Sequence, residues 1–155
     1  MTHTKTYLTI ILIFLINLTL LGQVKTDSLI EEKVKYQYDD KKPNETYIPK
    51  IELGKEIQIN FDCCFDDSVQ IFVNDKLVDK RFLRTDESTS YTGYSMIVKF
   101  DDKKKNTTLK VVLPDKRVFC NITLDKKYRL LHINRMEHWD KTWWITFRNF
   151  GIIYE

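Results

Sequence analysis

Glycine is scarce in this 155-residue chain, which contains four glycines. Three of them lie beyond residue 22, at positions 54, 93 and 151, dozens of residues apart. No glycine-rich phosphate loop or dinucleotide fingerprint can be built from glycines with this spacing. No serine lies between two glycines, as the nucleophile elbow of a hydrolase requires. The chain therefore lacks the motifs of the common nucleotide-binding and serine-hydrolase families.

Histidine is equally scarce, since two of the three histidines, His132 and His138, follow residue 22. A three-histidine zinc site is therefore impossible beyond that point, and the HExxH motif is absent. A mixed site made of both histidines with Glu137 and Asp140 would draw its ligands from one strand and one loop. We expect no metal and no cofactor. The remaining catalytic alternative is a small hydrolase that uses the carboxylates of Glu137 and Asp140.

The charges balance closely, with 25 Lys and Arg against 22 Asp and Glu and a net charge of +3. Both signs are mixed along the chain, as in the stretch 101–105. No stripe of basic residues is interleaved with aromatic residues, so we expect no nucleic-acid partner.

The first 22 residues contain a basic start, an apolar run and a small final residue. Lys5 is the only charge before Lys25, residues 7–21 are almost all apolar, and Gly22 follows. This pattern predicts a signal peptide over 1–22 and a secreted or periplasmic protein. The alternative is an uncleaved N-terminal anchor, because the uncharged span 6–23 is 18 residues long, the lower limit for a membrane span. We expect membrane contact only in that case.

Two regions with different patterns follow the leader. Residues 23–45 are charged and predict a spacer, with a possible short helix because 28–31 has the form of a capping box. Residues 46–155 show short alternating segments between turns, which predict a single all-β domain of about eight strands. The segments are 51–61, 69–73, 77–83, 93–100, 108–113, 117–124, 128–135 and 142–150, with a short tail at 152–154. We predict an antiparallel β-sandwich.

Three cysteines occur in the chain, Cys63, Cys64 and Cys120. Apolar residues share a face with Cys63 over 57–61 and with Cys120 over 118–124, because side chains alternate along a strand. Alternation therefore predicts that Cys63 and Cys120 point inward and that Cys64 points outward. We predict a Cys63–Cys120 disulfide, worth about 4 kcal/mol on the chain-entropy model. The alternative is three free thiols.

The run 53–59, together with inward cysteines on two separate strands, resembles the opening strands and cross-link of immunoglobulin-like domains. The resemblance implies sandwich architecture in a generic sense. The tryptophan of true immunoglobulin domains is absent between Cys63 and Cys120, so the resemblance does not extend to a family.

The densest polar and aromatic cluster lies at 128–148 and contains all three tryptophans. Alternation places Trp143 on the more apolar face and predicts that Trp144 is exposed. One interpretation is a terminal hairpin whose tryptophans cap the core. The other is a binding rim, because flat aromatic rings beside charged groups suit a sugar face or a protein hot spot. Its candidate residues are Trp139, Trp144, His138, Asp140 and Arg148.

These observations predict an exported, non-catalytic module that binds a protein or a glycan. The alternative is a periplasmic inhibitor or immunity-type protein that occludes a target enzyme. The two differ in partner, since the inhibitor would form a tight one-to-one complex with one enzyme.

Overall fold

The computed structural model describes residues 28–40, 46–47, 49–137 and 140–152, with no side-chain description at 46, 47 and 152. The predicted leader, 1–22, lies outside these residues. All regular elements in the described residues are β-strands. In this part of the chain no helix is long and apolar enough to cross a membrane.

The described strands form two five-stranded sheets and one small pair. The strands are β1 (Ile30–Glu31), β2 (Val34–Asp39), β3 (Thr46–Tyr47), β4 (Glu56–Phe61), β5 (Asp66–Val73), β6 (Lys76–Arg84), β7 (Tyr94–Lys99), β8 (Thr107–Leu113), β9 (Val118–Leu124), β10 (Leu130–Met136), β11 (Thr142–Arg148) and β12 (Gly151–Ile152). Sheet A has the order β1-β9-β8-β5-β6, sheet B has the order β2-β11-β10-β4-β7, and β12 pairs with β3. The predicted all-β sandwich is confirmed.

The sheets are mixed, so the prediction of a purely antiparallel arrangement is wrong in one respect. Parallel pairs join β1 to β9, β2 to β11 and β4 to β10. The chain repeatedly crosses from one sheet to the other, so these neighbours come from distant parts of the sequence. A hairpin turn does not set their relative direction, and alternation within a strand carries no information about it.

Alternating apolar residues from both sheets fill one core. In sheet B, Ile57, Ile59 and Phe61 of β4 are fully buried, as the sequence pattern predicts. Val69 and Ile71 of β5 are buried from the side of sheet A. Burying an aliphatic or aromatic side chain contributes roughly 1.5–3 kcal/mol each, so this core is the main source of stability.

The β5–β6 hairpin shows how local sequence sets register. Val73 pairs with Lys76 across a two-residue turn. Asn74 and Asp75 both have positive φ, at 49° and 65°. Asn and Asp tolerate this left-handed conformation better than most residues, and turns of this kind match the twist of paired strands.

Ile30–Glu31 and Val34–Asp39 are strands, whereas the sequence pattern allowed a short helix within the predicted spacer at 23–45. These two strands belong to sheet A and sheet B. Tyr36 and Tyr38 of β2 stack on Phe147 of β11, with ring centroids 6.3 Å and 5.4 Å away. The alternation of Val34, Tyr36 and Tyr38 is the sequence signal for this strand.

A network of charged side chains joins the two sheets at one end of the sandwich. Arg135 occupies an inward-facing position on β10 and donates to both carboxylate oxygens of Glu32, at 3.0 Å and 2.9 Å. The two side chains are 3% and 7% exposed. Trp143 Nε1 also donates to Glu32, at 2.8 Å. Glu32 lies between β1 of sheet A and β2 of sheet B, so it holds both strands in place.

The network continues through Glu137 to sheet A. Arg135 Nη1 donates to Glu137 at 2.9 Å. Lys116, in the β8–β9 turn, contacts Glu137 and lies 2.9 Å from the buried carboxylate of Asp67 on β5. The hydrogen bond from Lys116, followed by the charge of Arg135, holds the pKa of Glu137 below its usual value despite partial burial.

A second bridge joins the edge strands β6 and β7. The hydroxyl of Tyr94 donates to Asp79, and the guanidinium of Arg81 lies 3.8 Å from the centre of the Tyr94 ring. Burial, followed by the hydrogen bond to Asp79, raises the pKa of Tyr94 to about 12. The open edges of the two sheets are therefore tied together on this side.

Replacing Glu32 with alanine is expected to lower the free energy of unfolding by about 3 kcal/mol, because Arg135 would lose its main buried partner. Denaturant unfolding measures this. The matched control is Glu31→Ala, which removes a surface contact to Asn121 and should cost less than about 0.5 kcal/mol. Equal losses in the two variants would contradict the central role of Glu32.

Tyr94 is expected to ionise near pH 12 rather than at its ordinary value of 10. Because the folded-state pKa is raised, its stabilising contribution is complete below pH 10 and is lost as the pH rises toward 12. A tyrosine-resolved NMR titration measures this pKa, and Asp79→Asn should lower it. Asp75→Asn, in the same hairpin, is the control and should leave it unchanged. A Tyr94 that titrates normally in the unmodified protein would contradict the bridge.

Candidate functional site

A row of polar residues crosses the outer face of sheet B through all five strands. Strand register aligns Ser95 of β7, Asn60 of β4, His132 of β10, Thr146 of β11 and Gln37 of β2. Ser95 and Gln37, at the two ends of the row, are exposed. Asn60 and Thr146, on either side of His132, are buried. The row is therefore recessed at its centre. We call this surface, with its neighbouring polar side chains, the polar face.

His132 is oriented at the centre of the polar face by Asp62, which follows β4. Its Nδ1 lies 2.9 Å from the Asp62 carboxylate. When Nδ1 carries the proton and donates to the carboxylate, Nε2 of the neutral ring is an acceptor. This Nε2 is buried and has no hydrogen-bond partner within the described part of the chain. An unsatisfied buried acceptor is costly, so a side-chain shift that brings a ligand donor to Nε2 would be favoured.

Amide side chains surround this imidazole. Gln58 Nε2 donates to Asn60 Oδ1 at 2.8 Å. The backbone N–H of Cys63 donates to Asn134 Oδ1 at 3.1 Å. These bonds fix the orientation of the amides and leave the amide nitrogens of Asn60 and Asn134 as donors for a ligand.

A groove of about 560 Å³ lies over this surface. Residues 89–91, from the loop before β7, form one wall, and Arg148 and Gly151 line another part. Asp62 is the one carboxylate among the described residues that line it. The volume lies within the range of roughly 300–1,000 Å³ that is typical of small-ligand sites.

A disulfide between the adjacent residues Cys63 and Cys64 lies at the end of the groove. The predicted Cys63–Cys120 disulfide is therefore wrong. Strand β4 ends at Phe61, so Cys63 lies in a loop where strand alternation no longer sets its direction. The backbone at Cys64 has a positive φ of 77°. The side chain of Cys64 is exposed, as predicted. A bridge between neighbours closes no chain loop, so the predicted entropic cross-link between the sheets does not exist.

Cys120 is a free thiol on the inner face of β9. It is fully buried, which confirms that it points inward. Burial raises its pKa well above the usual value for a thiol. The thiol therefore has little nucleophilic or metal-binding character in the folded protein.

A second groove, of about 790 Å³, lies on the other side of the disulfide. Cys63 and Ser90 line both grooves. Its other walls carry charges of both signs, including Arg84, Lys116 and Glu137. Since Lys116 and Glu137 belong to the ion network of Arg135, this groove is in part a structural feature of the sandwich end.

Two of the predicted binding residues lie on the polar face. Arg148 and Trp144 share the outer side of β11, as alternation predicts, while Trp143 is fully buried. Arg148 Nε lies 3.3 Å from the Asp39 carboxylate, an ion-pair contact without hydrogen-bond geometry. Trp144 is half-buried rather than exposed, because Lys35 on the neighbouring strand lies 5.2 Å from its ring centre.

The remaining predicted residues are not part of the groove. Asp140 is exposed and forms an ion pair with Lys35 at 2.8 Å, and this hydrogen bond is the main cause of its lowered pKa. His138 and Trp139 lie outside the described residues. The structure thus brings Asp140 close to Trp144 through Lys35, but it does not bring Asp140 to Arg148.

The residues considered for metal binding or hydrolysis have separate partners. His132 pairs with Asp62, Glu137 with Lys116 and Arg135, and Asp140 with Lys35. Across residues 28–40, 49–137 and 140–151, no group of three or more His, Cys, Asp or Glu side chains is placed to hold a metal ion. Glu137 and Asp140 therefore contact different cations.

The most important groove residues were not among the predicted site residues. Gln58, Asn60 and Asp62 alternate with buried residues along one strand, and His132 and Asn134 do so along another. This alternation identifies the outward side of each strand. It does not identify the pairing of β4 with β10, which places the two sets side by side.

No protein-family model, curated protein or solved structure matches the chain.

Peptide mapping without reductant is expected to find a Cys63–Cys64 disulfide. Iodoacetamide should leave Cys120 unmodified in the native protein, because the thiol is buried and its pKa is raised. After unfolding without reductant, Cys120 alone should be alkylated. A linkage of Cys120 to either neighbour would contradict the pairing described here.

Proposed function

We propose that the protein is an exported, non-catalytic module that binds a glycan on the polar face. The row of polar side chains across five strands of sheet B is the observation that carries this proposal. Soluble β-sandwiches often expose one polar sheet face without further consequence, but here the centre of the row is recessed beneath the loop at 89–91. A recess lined by oriented polar groups is suited to a small ligand.

The hydrogen-bonding groups match the chemistry of a sugar. Each sugar hydroxyl both donates and accepts, so its site needs donors and acceptors side by side. When the proton is at Nδ1, His132 Nε2 is an acceptor. The amide nitrogen of Asn134 supplies a donor, and Arg148 supplies a cationic donor at one end. Asp62 and the amide bonds hold these groups in fixed orientations, which lowers the entropy lost on binding.

Aromatic rings next to the groove add a second type of contact. Tyr91 lines the wall of the groove, and Trp144 pairs directly with Asn134 in the strand register. The apolar face of a sugar ring can pack on such rings while its hydroxyls face the amides. This arrangement favours a saccharide over a small polar ion, which would make no use of the aromatic surface.

The carboxylates support binding without catalysis. Glycoside hydrolysis ordinarily uses two carboxyl groups about 5–10 Å apart, flanking the scissile bond. In the described lining of the groove, Asp62 is the one carboxylate, and it is engaged by His132. We therefore assign Asp62 to positioning His132 rather than to acid–base chemistry.

Export is supported by two features. The apolar leader at 1–22 has the form of a signal peptide. A disulfide persists in oxidising compartments such as the periplasm or the extracellular space, and the Cys63–Cys64 pair borders the groove. A secreted or periplasmic glycan-binding protein accounts for both.

Screening the protein on an oligosaccharide array, followed by calorimetric titration of the best saccharide, tests the proposal. His132→Ala and Arg148→Ala are each expected to weaken binding about tenfold, the effect of losing one or two hydrogen bonds. Thr123→Ala, an exposed substitution on the outer face of sheet A, is the control and should bind normally. Thermal unfolding establishes that the variants fold.

Two outcomes would overturn the proposal. The first is a protein that binds no saccharide on the array. The second is binding that His132→Ala and Arg148→Ala leave intact, which would place the ligand elsewhere. Release of a shortened saccharide during the titration would separately contradict the non-catalytic assignment.

A further inference from the structure

Strand β6 is an open edge of sheet A. It is nine residues long (Lys76–Arg84), and among the described residues it pairs with β5 alone. One side of its backbone therefore presents N–H and C=O groups to solvent. Such an edge can accept another extended chain by backbone hydrogen bonding.

The same strand exposes large apolar side chains. Leu77, Val78 and Phe82 are 49%, 46% and 57% exposed. Leu77 pairs with the half-buried Phe72 of β5, which extends the apolar surface onto the outer face of sheet A. The combination of a long edge with three exposed apolar residues therefore favours an interaction surface.

The charge of β6 indicates the chemistry of the partner. The strand carries four cations, at Lys76, Lys80, Arg81 and Arg84, against one carboxylate, at Asp79. Arg81 is paired with Asp79, and Arg84 with Asp66 of β5, whereas Lys76 and Lys80 are exposed. A second copy of this chain would oppose like charges at the edge, which destabilises strand pairing. An acidic segment would be attracted.

The unpaired backbone of β6 favours a protein partner over a lipid surface. Apolar side chains beside lysines also suit an anionic membrane. Lipid, however, offers no hydrogen bonds to the exposed edge of β6, and burying unpaired backbone groups in lipid costs several kcal/mol each. An extended peptide segment supplies those bonds and contacts the apolar side chains at the same time.

We propose that β6 is a docking edge for an extended segment of a protein partner in which acidic residues alternate with apolar ones. The segment pairs with the β6 backbone. Its apolar side chains contact Leu77 and Phe82 on the outer face of sheet A, and its carboxylates lie on the opposite face of the strand, beside Lys76. This interaction is independent of the glycan site, because β6 belongs to sheet A and the polar face belongs to sheet B.

The probe is the peptide acetyl-Glu-Val-Glu-Val-Glu-Val-Glu-Val-amide, titrated into isotopically labelled protein and followed by amide NMR shifts. Shifts are expected along 76–84, and binding should weaken as salt is added, because salt screens the attraction between exposed charges. A peptide with lysine in place of glutamate, and the acidic peptide N-methylated at alternate residues, should both bind at least about tenfold more weakly.

Matched variants on the two open edges locate the site. Phe82→Ser and Lys76→Glu are each expected to weaken binding of the acidic peptide at least about tenfold. The controls are Ile97→Ser and Lys99→Glu on β7, the open edge of sheet B, where Ile97 is also exposed. These should bind the peptide as the unmodified protein does.

Several results would overturn the proposal. These are no binding of the acidic peptide, equal binding of the lysine peptide, shifts centred on β7, or equal losses in the β7 controls. Vesicles of phosphatidylcholine and phosphatidylserine that bind through Phe82 in place of the peptide would assign the edge to a membrane instead. The β6 variants are expected to bind oligosaccharide as the unmodified protein does, because the two sites are separate. The glycan proposal and the docking proposal can therefore fail independently of each other.

Discussion

The buried pair of Arg135 and Glu32 is the interaction on which the sandwich depends. Alternation along β10 directs Arg135 inward, where an unpaired guanidinium would be strongly destabilising. Glu32 neutralises it and also accepts from Trp143. Glu32 lies in the short link between β1 and β2. Its contact with Arg135 therefore holds β1 in sheet A and β2 in sheet B. The carboxylate of Glu32, which neutralises the inward-facing Arg135, therefore also fixes the edge strands β1 and β2.

This end of the molecule also organises the candidate site. The backbone N–H of Arg135 donates to the carbonyl of Cys63, and Asn134 accepts from the N–H of Cys63. The loop that carries the adjacent disulfide is thus held by the strand that carries His132 and Arg135. The two outer faces then differ in character: sheet B presents oriented amides and an imidazole, whereas the β6 edge of sheet A presents apolar and cationic side chains. The two proposed binding surfaces therefore differ in their chemistry.

Much of the fold could be predicted from alternation, because a half-buried strand shows its inner face directly in the sequence. Ile57, Ile59 and Phe61 illustrate this, as does the choice of Trp143 over Trp144 for the core. What could not be predicted depends on which strands become neighbours. The pairing of β4 with β10 assembles the polar face, and the crossing of 30–34 between sheets gives Arg135 its partner. The cysteine prediction failed for a local reason, because alternation was extended past the end of β4.

Native-state amide hydrogen exchange tests most directly whether the segment that carries Glu32 is integral to the fold. The hydrogen-bonded amides of β2 are expected to exchange with the same free energy as those of β11, its partner, because both strands depend on the buried pair. Exchange of β2 at the rate of an unprotected chain, while β11 remains protected, would contradict it. That result would make 30–39 a loosely attached spacer and would leave Arg135 without its structural role.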